Sequence, residues 1–492
     1  MNNGTTPAAQ RSATSALPRR RVLQVAGLTA LAGAAGLAGP GLTMAHADNS
    51  RSSTKDAYDA IVIGAGFAGV TAARELRAKG LRPLILEARD RIGGRTWTAD
   101  FNGTGVEMGG ESVDVKQPYV WKEVQRYQIP LGTSLGADRM YFPTATGGFA
   151  PIPPADVVPR LKSLFTPLFD GSQDYFPRPF EPLYRRDLVQ KVDQLSMRDR
   201  LNQLRLSPAD ELWVSGSLGG LSGGSSKRGA FSMLAQSWAL SGYTFEGYLS
   251  VNTYHPAAGT STLIKAMLAD AKADLRLNTP VAKVEQTGGQ VRVTTRTGQV
   301  FTAPVAVLAV PVNVWKNITF APALPAEYVT VSRAGIGVPN VQKLWLSVKG
   351  VPGRFATNPA EGAALGAVRP HSQLADGSTL MFAFAYDPKF NGNDRAQVQS
   401  ALEKVVPGVE VTAVKAHSWA ADPFALGGWA CRQPGMLTGP FSSIQKPQGR
   451  LSFATSDIAN GWSGYIDGAI ESGITAAGQA AALLAGRHSA AR

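Results

Sequence analysis

The chain is poor in the residues that form disulfides and metal centres. It has a single cysteine, Cys431, so no intramolecular disulfide can form. Its few histidines, among them His255, His371 and His417, are scattered without the spacing of a metal-ligand motif. We therefore predict no metal site, and we expect each histidine to be a surface or core residue.

Several other classes of function are disfavoured by what is missing. No nucleophile elbow or paired-carboxylate pattern makes hydrolysis competitive. Beyond residue 47, no apolar run approaches the length of a membrane span. Lys and Arg (49) outnumber Asp and Glu (36), but the longest basic run in that region is Arg185-Arg186. Dispersed basic residues are more typical of a solvated surface than of nucleic-acid binding, so we expect no nucleic-acid partner.

Residues 1–47 have the pattern of an export signal. The run Arg19-Arg20-Arg21-Val22-Leu23-Gln24 fits the twin-arginine pattern, and a mildly apolar stretch leads to a cleavage site at Ala45-His46-Ala47. The alternative is a basic tail. We expect export through the twin-arginine pathway in a folded state, to a periplasmic or extracellular location, with no integral membrane span after processing.

A strand, a glycine-rich turn and a helix follow one another from residue 60. Residues 60–63 are an apolar run typical of a buried parallel strand, and residues 70–79 are rich in good helix formers. The turn between them contains Gly64, Gly66 and Gly69 at the GxGxxG spacing. These glycines permit a tight turn, a close approach to a diphosphate and close helix packing, and the helix N-terminus would face the phosphates.

An acidic residue and a second glycine pair extend this motif. Glu87 ends the apolar run at residues 84–86, where its carboxylate can accept hydrogen bonds from ribose hydroxyls and disfavours a 2′-phosphate. Gly93-Gly94 lies between arginines, which suits a second backbone approach to the diphosphate. The sequence therefore predicts a bound dinucleotide, with FAD favoured.

The segment at residues 86–96 resembles the signature of the flavin amine oxidases, the family of monoamine, polyamine and L-amino-acid oxidases. Three further segments resemble the family in the same order, at residues 305–311, 341–346 and 451–471. Residues 175–182, 422–424 with Trp429, and 460–462 are most similar to bacterial nicotine and pseudooxynicotine amine oxidases. The resemblance implies FAD-dependent oxidation of a small-molecule amine by hydride transfer to flavin N5, giving an iminium that hydrolyses.

The resemblance also assigns residues to the site. It implies that Lys343 holds a water beside the flavin, that Tyr465 is an aromatic-cage residue and that Trp429 is a second aromatic wall. Trp429 stands where monoamine oxidases carry the FAD-linking cysteine, so FAD is expected to be non-covalent. The alternatives are core packing for the aromatics and a solvated lysine. The expected cofactor-binding residues are Gly64, Ala65, Gly66, Phe67, Ala68, Gly69, Glu87, Ala88, Arg89, Gly94, Arg95, Gly109, Gly110, Val281, Trp419, Ser456, Asp457 and Ile466.

Three positions depart from the family pattern. Glu111 stands in place of a small residue after Gly109-Gly110, and Thr455 replaces a glycine beside the expected diphosphate. Ala258 replaces one of two glycines in a segment that also lacks the usual arginine. These changes bear on the identity of the substrate more than on the fold.

The expected fold class is α/β (α+β), with two domains. A Rossmann-type FAD-binding domain is expected from discontinuous segments at residues 57–130, 255–320 and 425–486. The substrate-binding domain is expected from residues 131–254, which are mostly helical by pattern, and from residues 321–424, which contain alternating strands. Together these two insertions should form a mixed sheet covered by helices.

The substrate is left open by the sequence. The leading hypothesis is a secondary or otherwise alkylated amine, similar to nicotine or pseudooxynicotine. An L-amino-acid oxidase would need an arginine clamp for the carboxylate, and a polyamine oxidase would need acids along its tunnel. A flavin-binding protein of low turnover is the alternative from another class. The electron acceptor, O2 or a redox protein, also stays open, as does assembly into a homodimer.

Overall fold

The structure, a computed structural model, describes residues 57–490, with side chains through residue 486. The export signal expected at residues 1–47 lies outside the described residues. Within residues 57–490, none of the helices has both the length and the apolar character needed to cross a membrane.

Strands occur throughout the described chain, whereas most helices lie between residues 118 and 271. The strands are β1 (Ala60–Ile63), β2 (Pro83–Leu86), β3 (Thr98–Phe101), β4 (Thr104–Glu107), β5 (Leu131–Thr133), β6 (Arg139–Pro143), β7 (Phe149–Ile152), β8 (Tyr254–Pro256), β9 (Asp274–Arg276), β10 (Val281–Thr287), β11 (Gln290–Thr295), β12 (Val300–Ala303), β13 (Val305–Leu308), β14 (Thr319–Ala321), β15 (Gln342–Lys349), β16 (Phe355–Thr357), β17 (Leu365–Gln373), β18 (Thr379–Ala385), β19 (Glu410–Ser418) and β20 (Leu451–Phe453). The α-helices are α1 (Phe67–Ala78), α2 (Pro118–Arg126), α3 (Pro154–Phe165), α4 (Ser172–Tyr175), α5 (Arg186–Val192), α6 (Met197–Gln203), α7 (Pro208–Leu221), α8 (Phe231–Leu240), α9 (Phe245–Ser250), α10 (Thr260–Ala271), α11 (Ala326–Ala334), α12 (Arg395–Glu403) and α13 (Ile466–Ala490).

A five-stranded parallel sheet carries the dinucleotide motif. Its strand order is β20-β13-β1-β2-β9, with every adjacent pair parallel. β1, β2 and β13 are fully buried apolar runs, as expected of strands covered on both faces. Because the carboxyl ends of parallel strands meet at one edge of the sheet, the turn after β1, Glu87 and Ala309 all lie at that edge.

A second sheet forms the floor of the substrate side. Its order is β17-β18-β15-β19, and all of its pairs are antiparallel. Lys343 on β15 is directly opposite Phe384 on β18, and Arg369 on β17 is opposite Phe382. Cross-strand partners share a face of the sheet, as do alternate residues of one strand, so these four side chains belong to one face.

Helices α3 to α9 pack around a large aromatic cluster above this sheet. The cluster includes Phe169 stacked on Trp238 and Phe142 stacked on Trp213. Helix α7 begins after Ser207, whose side chain caps the helix by accepting from the backbone N–H of Asp210. The largely helical prediction for residues 131–254 overlooks β5, β6 and β7, three short strands of mixed polar and apolar residues that lack strict alternation.

Candidate active site

The turn after β1 needs glycine for steric reasons. A Cβ on Gly69 would lie 2.0 Å from the carbonyl oxygen of Gly64, and one on Gly64, whose φ is +108°, would lie 2.5 Å from that of Ala309. The N-cap residue of α1 is Gly66, which has no side chain. The first N–H groups of the helix therefore have no side-chain acceptor at the N-cap. This turn is therefore a site for an anionic group.

Glu87 lies beside the turn and is almost fully buried. Its carboxylate accepts from the backbone N–H groups of Ala65 at 2.7 Å and Arg89 at 2.9 Å. The neighbouring turn is also close, since Gly66 and Gly93 form a β-bridge. Two glycine-rich turns and a carboxylate thus converge at one edge of the sheet, the arrangement expected for a ribose followed by a diphosphate.

A single cavity of about 1290 Å³ connects this edge to the substrate side. The nucleotide end is lined by Gly64, Gly66 and Glu87, and the opposite end by Lys343, Trp429 and Tyr465. Since the ribose and diphosphate elements define one end, the rest of a dinucleotide must extend towards the other. The volume exceeds the upper range of ordinary small-ligand pockets, about 1000 Å³, as expected where a cofactor and a substrate share one space.

The predicted cofactor residues mostly line this cavity. Three do not: Ala65 donates to Glu87, Gly69 packs against Gly64, and Asp457 is fully buried behind the lining. Asp457 instead binds the guanidinium of Arg95 at 2.6 Å and accepts from the backbone of Val312 at 2.9 Å. The predicted residues that line the cavity are Gly64, Gly66, Phe67, Ala68, Glu87, Ala88, Arg89, Gly94, Arg95, Gly109, Gly110, Val281, Trp419, Ser456 and Ile466, together with Lys343, Trp429 and Tyr465.

Thr455 does not distort the backbone beside the expected diphosphate. Its φ is −162°, an extended conformation that a β-branched residue adopts readily. The threonine hydroxyl caps the short 3₁₀ helix at Ser456–Ile458 by accepting from Asp457. The replacement of a family glycine is therefore compatible with the same local path of the chain.

Lys343 is held in place by two acceptors. Its ammonium lies 3.0 Å from a carboxylate oxygen of Glu111 and donates to the carbonyl oxygen of Gly109, also at 3.0 Å. The ammonium also lies over the rings of Trp345 and Phe382, at 5.3 and 5.5 Å from their centroids. A solvated lysine is excluded, because only 2% of Lys343 is exposed.

Two histidines lie close to the Lys343 end of the cavity. His255 lines the cavity, and its ring centroid is 4.9 Å from that of His371. Burial lowers the pKa of His255, and it lowers the pKa of His371 to about 4. Both rings are therefore neutral near pH 7 and add no charge beside the Lys343–Glu111 pair.

Aromatic side chains enclose the other wall of this end of the cavity. The indole of Trp429 donates to the carbonyl oxygen of Leu221 at 2.9 Å and meets Phe384 edge to face at 5.3 Å. Tyr465 meets Trp462 edge to face at 5.1 Å, and burial raises the pKa of its phenol to about 12. Trp419 is fixed by a 2.8 Å hydrogen bond to the carbonyl oxygen of Met108. These fixed rings form a dry wall around a small organic molecule.

The sequence predictions miss several residues that line this end. Phe384 and Arg369 face the cavity from the floor sheet, Tyr386 lines it just after the end of β18, and Glu361 lines it from a loop. Strand alternation does assign Phe384 and Tyr386 to one face, but it does not show that this face borders the cavity. In the sequence, Glu111 stands out only as a departure from the family pattern and not as the partner of Lys343.

Comparison with known proteins identifies the class. The model of the family of flavin containing amine oxidoreductases matches residues 67–481, so the chain belongs to this family. It is 36% identical over 444 residues to a pseudooxynicotine dehydrogenase of a Pseudomonas species, covering 88% of each chain. It is 35% identical over 463 residues to a nicotine dehydrogenase of Pseudomonas putida, covering 92% of this chain and 95% of that relative.

Solved structures have the same fold. A triple mutant of putrescine oxidase superposes with a TM-score of 0.74 at 21% identity, covering 86% of this chain and 99% of that one. Cyclohexylamine oxidase from Brevibacterium oxydans superposes with a TM-score of 0.72 at 20% identity, covering 87% and 100%. The predicted α/β fold class is therefore confirmed.

The protein is an FAD-dependent amine oxidoreductase, and its cavity fits that cofactor. The two glycine turns and the free helix N-terminus suit the diphosphate, and Glu87 suits a ribose. When bound, FAD accepts two electrons from the amine as the carbon next to nitrogen loses its hydrogen. Trp429 and Tyr465 line the other end of the cavity, where aromatic rings are suited to orienting an amine and excluding water.

Proposed function

We propose that the substrate is a secondary or otherwise alkylated amine similar to nicotine or pseudooxynicotine, in which an aromatic ring and an N-alkylated nitrogen belong to one molecule. The observation that carries this proposal is the lining of the substrate end of the cavity. Trp429, Tyr465 and Phe384 surround it with aromatic surface, which suits an aromatic ring and an alkylated nitrogen. The names of the two relatives at 35–36% identity, nicotine and pseudooxynicotine dehydrogenase, agree with this class.

The carboxylates of the cavity disfavour a polyamine. Glu111 is paired with Lys343 at 3.0 Å, and Glu361 is paired with Arg198 at 2.5 Å. The carboxylate of Asp387 accepts from the backbone of Lys389 at 2.8 Å. A polycation would have to compete with these partners for the same carboxylates.

A panel of amines tests the proposed substrate class without any assumption about the electron acceptor. Holoenzyme is mixed without oxygen with nicotine, pseudooxynicotine, putrescine, spermidine and L-leucine, and bleaching of the oxidised flavin is followed by absorbance. We expect fast bleaching by the two pyridine-containing amines. Faster bleaching by a polyamine or by the amino acid would overturn the proposed substrate class.

We also propose that a redox protein, rather than oxygen, accepts the electrons from the reduced flavin. The Lys343 ammonium is neutralised by Glu111, so the site offers little net positive charge to a developing superoxide ion. The relatives named above are called dehydrogenases. Fast reduction of a cytochrome c or a dye, with little peroxide formed in air, is the expected result; peroxide formed at the full rate of turnover would contradict it.

Export and assembly complete the proposal. The twin arginines at Arg19 and Arg20 suit export of a folded, FAD-loaded protein to the periplasm or the outside. We also propose a homodimer, which light scattering of the purified holoenzyme would test.

A further inference from the structure

The geometry points to a second polar subsite in the cavity, formed by Arg369 and Tyr386, that binds a hydrogen-bond acceptor on the substrate at the end remote from its amine. This inference rests on the proposed function and adds a chemical requirement to it. The acceptor is a carbonyl oxygen, a ring nitrogen or a carboxylate. The group that reacts is the amine, held at the aromatic wall described above.

Arg369 has an incomplete set of partners for an arginine inside a protein. Nη1 donates to two backbone carbonyl oxygens, those of Thr357 and Val368, the latter at 3.1 Å. Within the described part of the chain, no carboxylate forms an ion pair with it, although its side chain lines the cavity. Burial lowers the pKa of the guanidinium to about 10, so it remains a cation near pH 7. A partly desolvated cation of this kind favours an electron-rich ligand.

Tyr386 supplies a second donor beside it. Its ring lines the cavity, and its hydroxyl makes no hydrogen bond to any residue between 57 and 486. The Tyr386 ring lies against β17, the strand of Arg369, since a Cβ on Gly366 would be 2.9 Å from it. Burial raises the pKa of Tyr386, so the hydroxyl stays protonated and can donate. A guanidinium and a phenol on the wall of one cavity then offer two kinds of hydrogen-bond donor to a ligand.

The subsite is separated from the aromatic wall by a definite span. Phe384 touches Trp429, and Arg369 lies opposite Phe382 on the next strand. From the usual strand spacing and rise, the Cα atoms of Phe384 and Arg369 are about 8 Å apart. A substrate that reaches both must therefore carry its acceptor several bonds from the reacting nitrogen. In an α-amino acid the carboxylate is too close to the nitrogen for this arrangement.

Two carboxylates of the substrate end, unlike Arg369, have a partner of opposite charge. Glu111 and Glu361 each have a cation of the protein as partner, whereas Arg369 has no anion. Arg369 is therefore a cation of this end that forms no ion pair with a described carboxylate, although the cavity also contains Asp387, which accepts from a backbone N–H. A ligand acceptor would provide the missing partner, which explains why a buried cation is tolerated at this position.

The test uses a matched pair of amines. One is an aryl ketone with a methylaminopropyl chain, and the other has CH2 in place of the carbonyl group. Kd is obtained from the saturation of anaerobic flavin reduction, and we expect the ketone to bind about tenfold more tightly to the unaltered enzyme, which corresponds to about 1.4 kcal/mol. Arg369→Met and Tyr386→Phe should each reduce this ratio towards one, with little change in the limiting rate of reduction. An ω-(methylamino)alkanoate in the same assay shows whether a carboxylate replaces the carbonyl.

Arg228→Met is the matched control variant. Arg228 is also a partly buried arginine that donates to two backbone carbonyls, those of Gly335 and Gly337, and it does not line the cavity. This variant should keep the tenfold preference. The same ratio in Arg369→Met as in the unaltered enzyme, or a loss of the ratio in Arg228→Met to the same extent, would overturn the subsite.

Calorimetry separates this inference from the proposed function. The trimethylammonium counterparts of the ketone and of its CH2 analogue cannot be oxidised, so their binding to oxidised holoenzyme reports the subsite alone. If no secondary amine bleaches the flavin, the proposed function fails, but a calorimetric preference for the ketone that disappears in Arg369→Met still supports the subsite. Equal binding of the two inert ligands to the unaltered enzyme would overturn it.

Discussion

The ammonium of Lys343 and the carboxylate of Glu111 form an ion pair of 3.0 Å at the wall of the cavity. Both side chains are largely buried, so water screens their interaction poorly. A third ionisable group, Glu107, feels the charge of Lys343, while burial raises the pKa of its carboxyl. The lysine therefore acts as one half of a nearly neutral unit, and its partner determines how much positive charge the site offers.

Substitutions in this pair should change the return of electrons more than the oxidation of the amine. In Lys343→Met the carboxylate of Glu111 loses its counter-charge, which opposes formation of superoxide, so we expect reoxidation by oxygen to slow about tenfold or more. In Glu111→Gln the ammonium is left without its counter-ion, so reoxidation should become faster by about the same factor. Stopped-flow measurement of the two half-reactions separates these effects.

The double variant and a control complete that experiment. Lys343→Met with Glu111→Gln has neither charge and should reoxidise at a rate between those of the two single variants, which measures the coupling directly. Glu361→Gln removes the same charge from the same cavity, but its partner is Arg198. Equal acceleration by Glu361→Gln would show that the effect does not depend on Lys343. Unchanged reoxidation by oxygen in Lys343→Met would show that the charge of Lys343 does not influence the reaction with oxygen.

The aromatic wall should govern the reductive half-reaction. Trp429→Ala or Tyr465→Ala should slow amine-driven flavin reduction by roughly 10 to 1000-fold, equivalent to about 1.4 to 4 kcal/mol of lost positioning, while FAD stays bound. Tyr465→Phe is the matched control, because it keeps the ring and removes only a hydroxyl with no hydrogen-bond partner in the described structure. Reduction at the normal rate in both alanine variants would remove these residues from the site.

The sequence predicts the nucleotide end of this site better than the substrate end, for a physical reason. Gly64, Gly69 and Glu87 are fixed by local backbone sterics and by a strand-to-helix turn, which short spacing encodes. Arg369 and Tyr386 become neighbours only when β17 pairs with β18, and Glu111 meets Lys343 only when the FAD side and the floor sheet pack together. Such long-range pairs have no local signature in the sequence. The short strands β5 to β7 are missed because their residues do not alternate strictly between polar and apolar.

The cofactor should be released by denaturation. Trp429 stands at the position of the linking cysteine, and the nearby Cys431 is fully buried with a thiol pKa that burial raises to about 11, so it is a poor nucleophile. Acid precipitation of the holoenzyme should therefore leave yellow flavin in the supernatant. Cys431→Ser, prepared in parallel, should give the same amount of free flavin. Flavin that stays with the pellet, on a peptide containing Cys431, would refute non-covalent binding.

Export should depend on the paired arginines and not on charge alone. Replacing Arg19 and Arg20 together with lysine keeps the positive charge but removes the twin-arginine pattern, so active FAD-loaded protein should accumulate in the cytoplasm. Lysine at Arg11 is the matched control, because it is the same change outside the motif. Cell fractionation with an activity assay measures the outcome, and normal export of the double variant would contradict the prediction.

Asp467 links the first turn of α13 to the start of α2. One carboxylate oxygen accepts from the backbone N–H groups of Tyr119 at 2.7 Å and Val120 at 2.9 Å, while the other has no partner in the described structure. The residue is fully buried, and burial raises its pKa to about 7, with Glu471 adding a repulsive negative charge. Burial also raises the pKa of Glu471.

The contribution of Asp467 to the stability of the folded chain should therefore fall as pH rises from about 4 to 7. A carboxyl whose folded pKa is raised binds more protons in the folded state, so its stabilising effect is complete below the unfolded pKa of 3.8 and is lost as pH passes about 7. Asp467→Asn keeps the acceptor for Tyr119 and Val120 and cannot ionise, so it should lose much of this dependence, with an upper limit of about 4 kcal/mol. Urea unfolding at several pH values measures the slope, and Asp156→Asn, an exposed substitution, should retain the original slope. Parallel curves for Asp467→Asn and the unaltered protein would show that Asp467 is already ionised in the folded state at low pH.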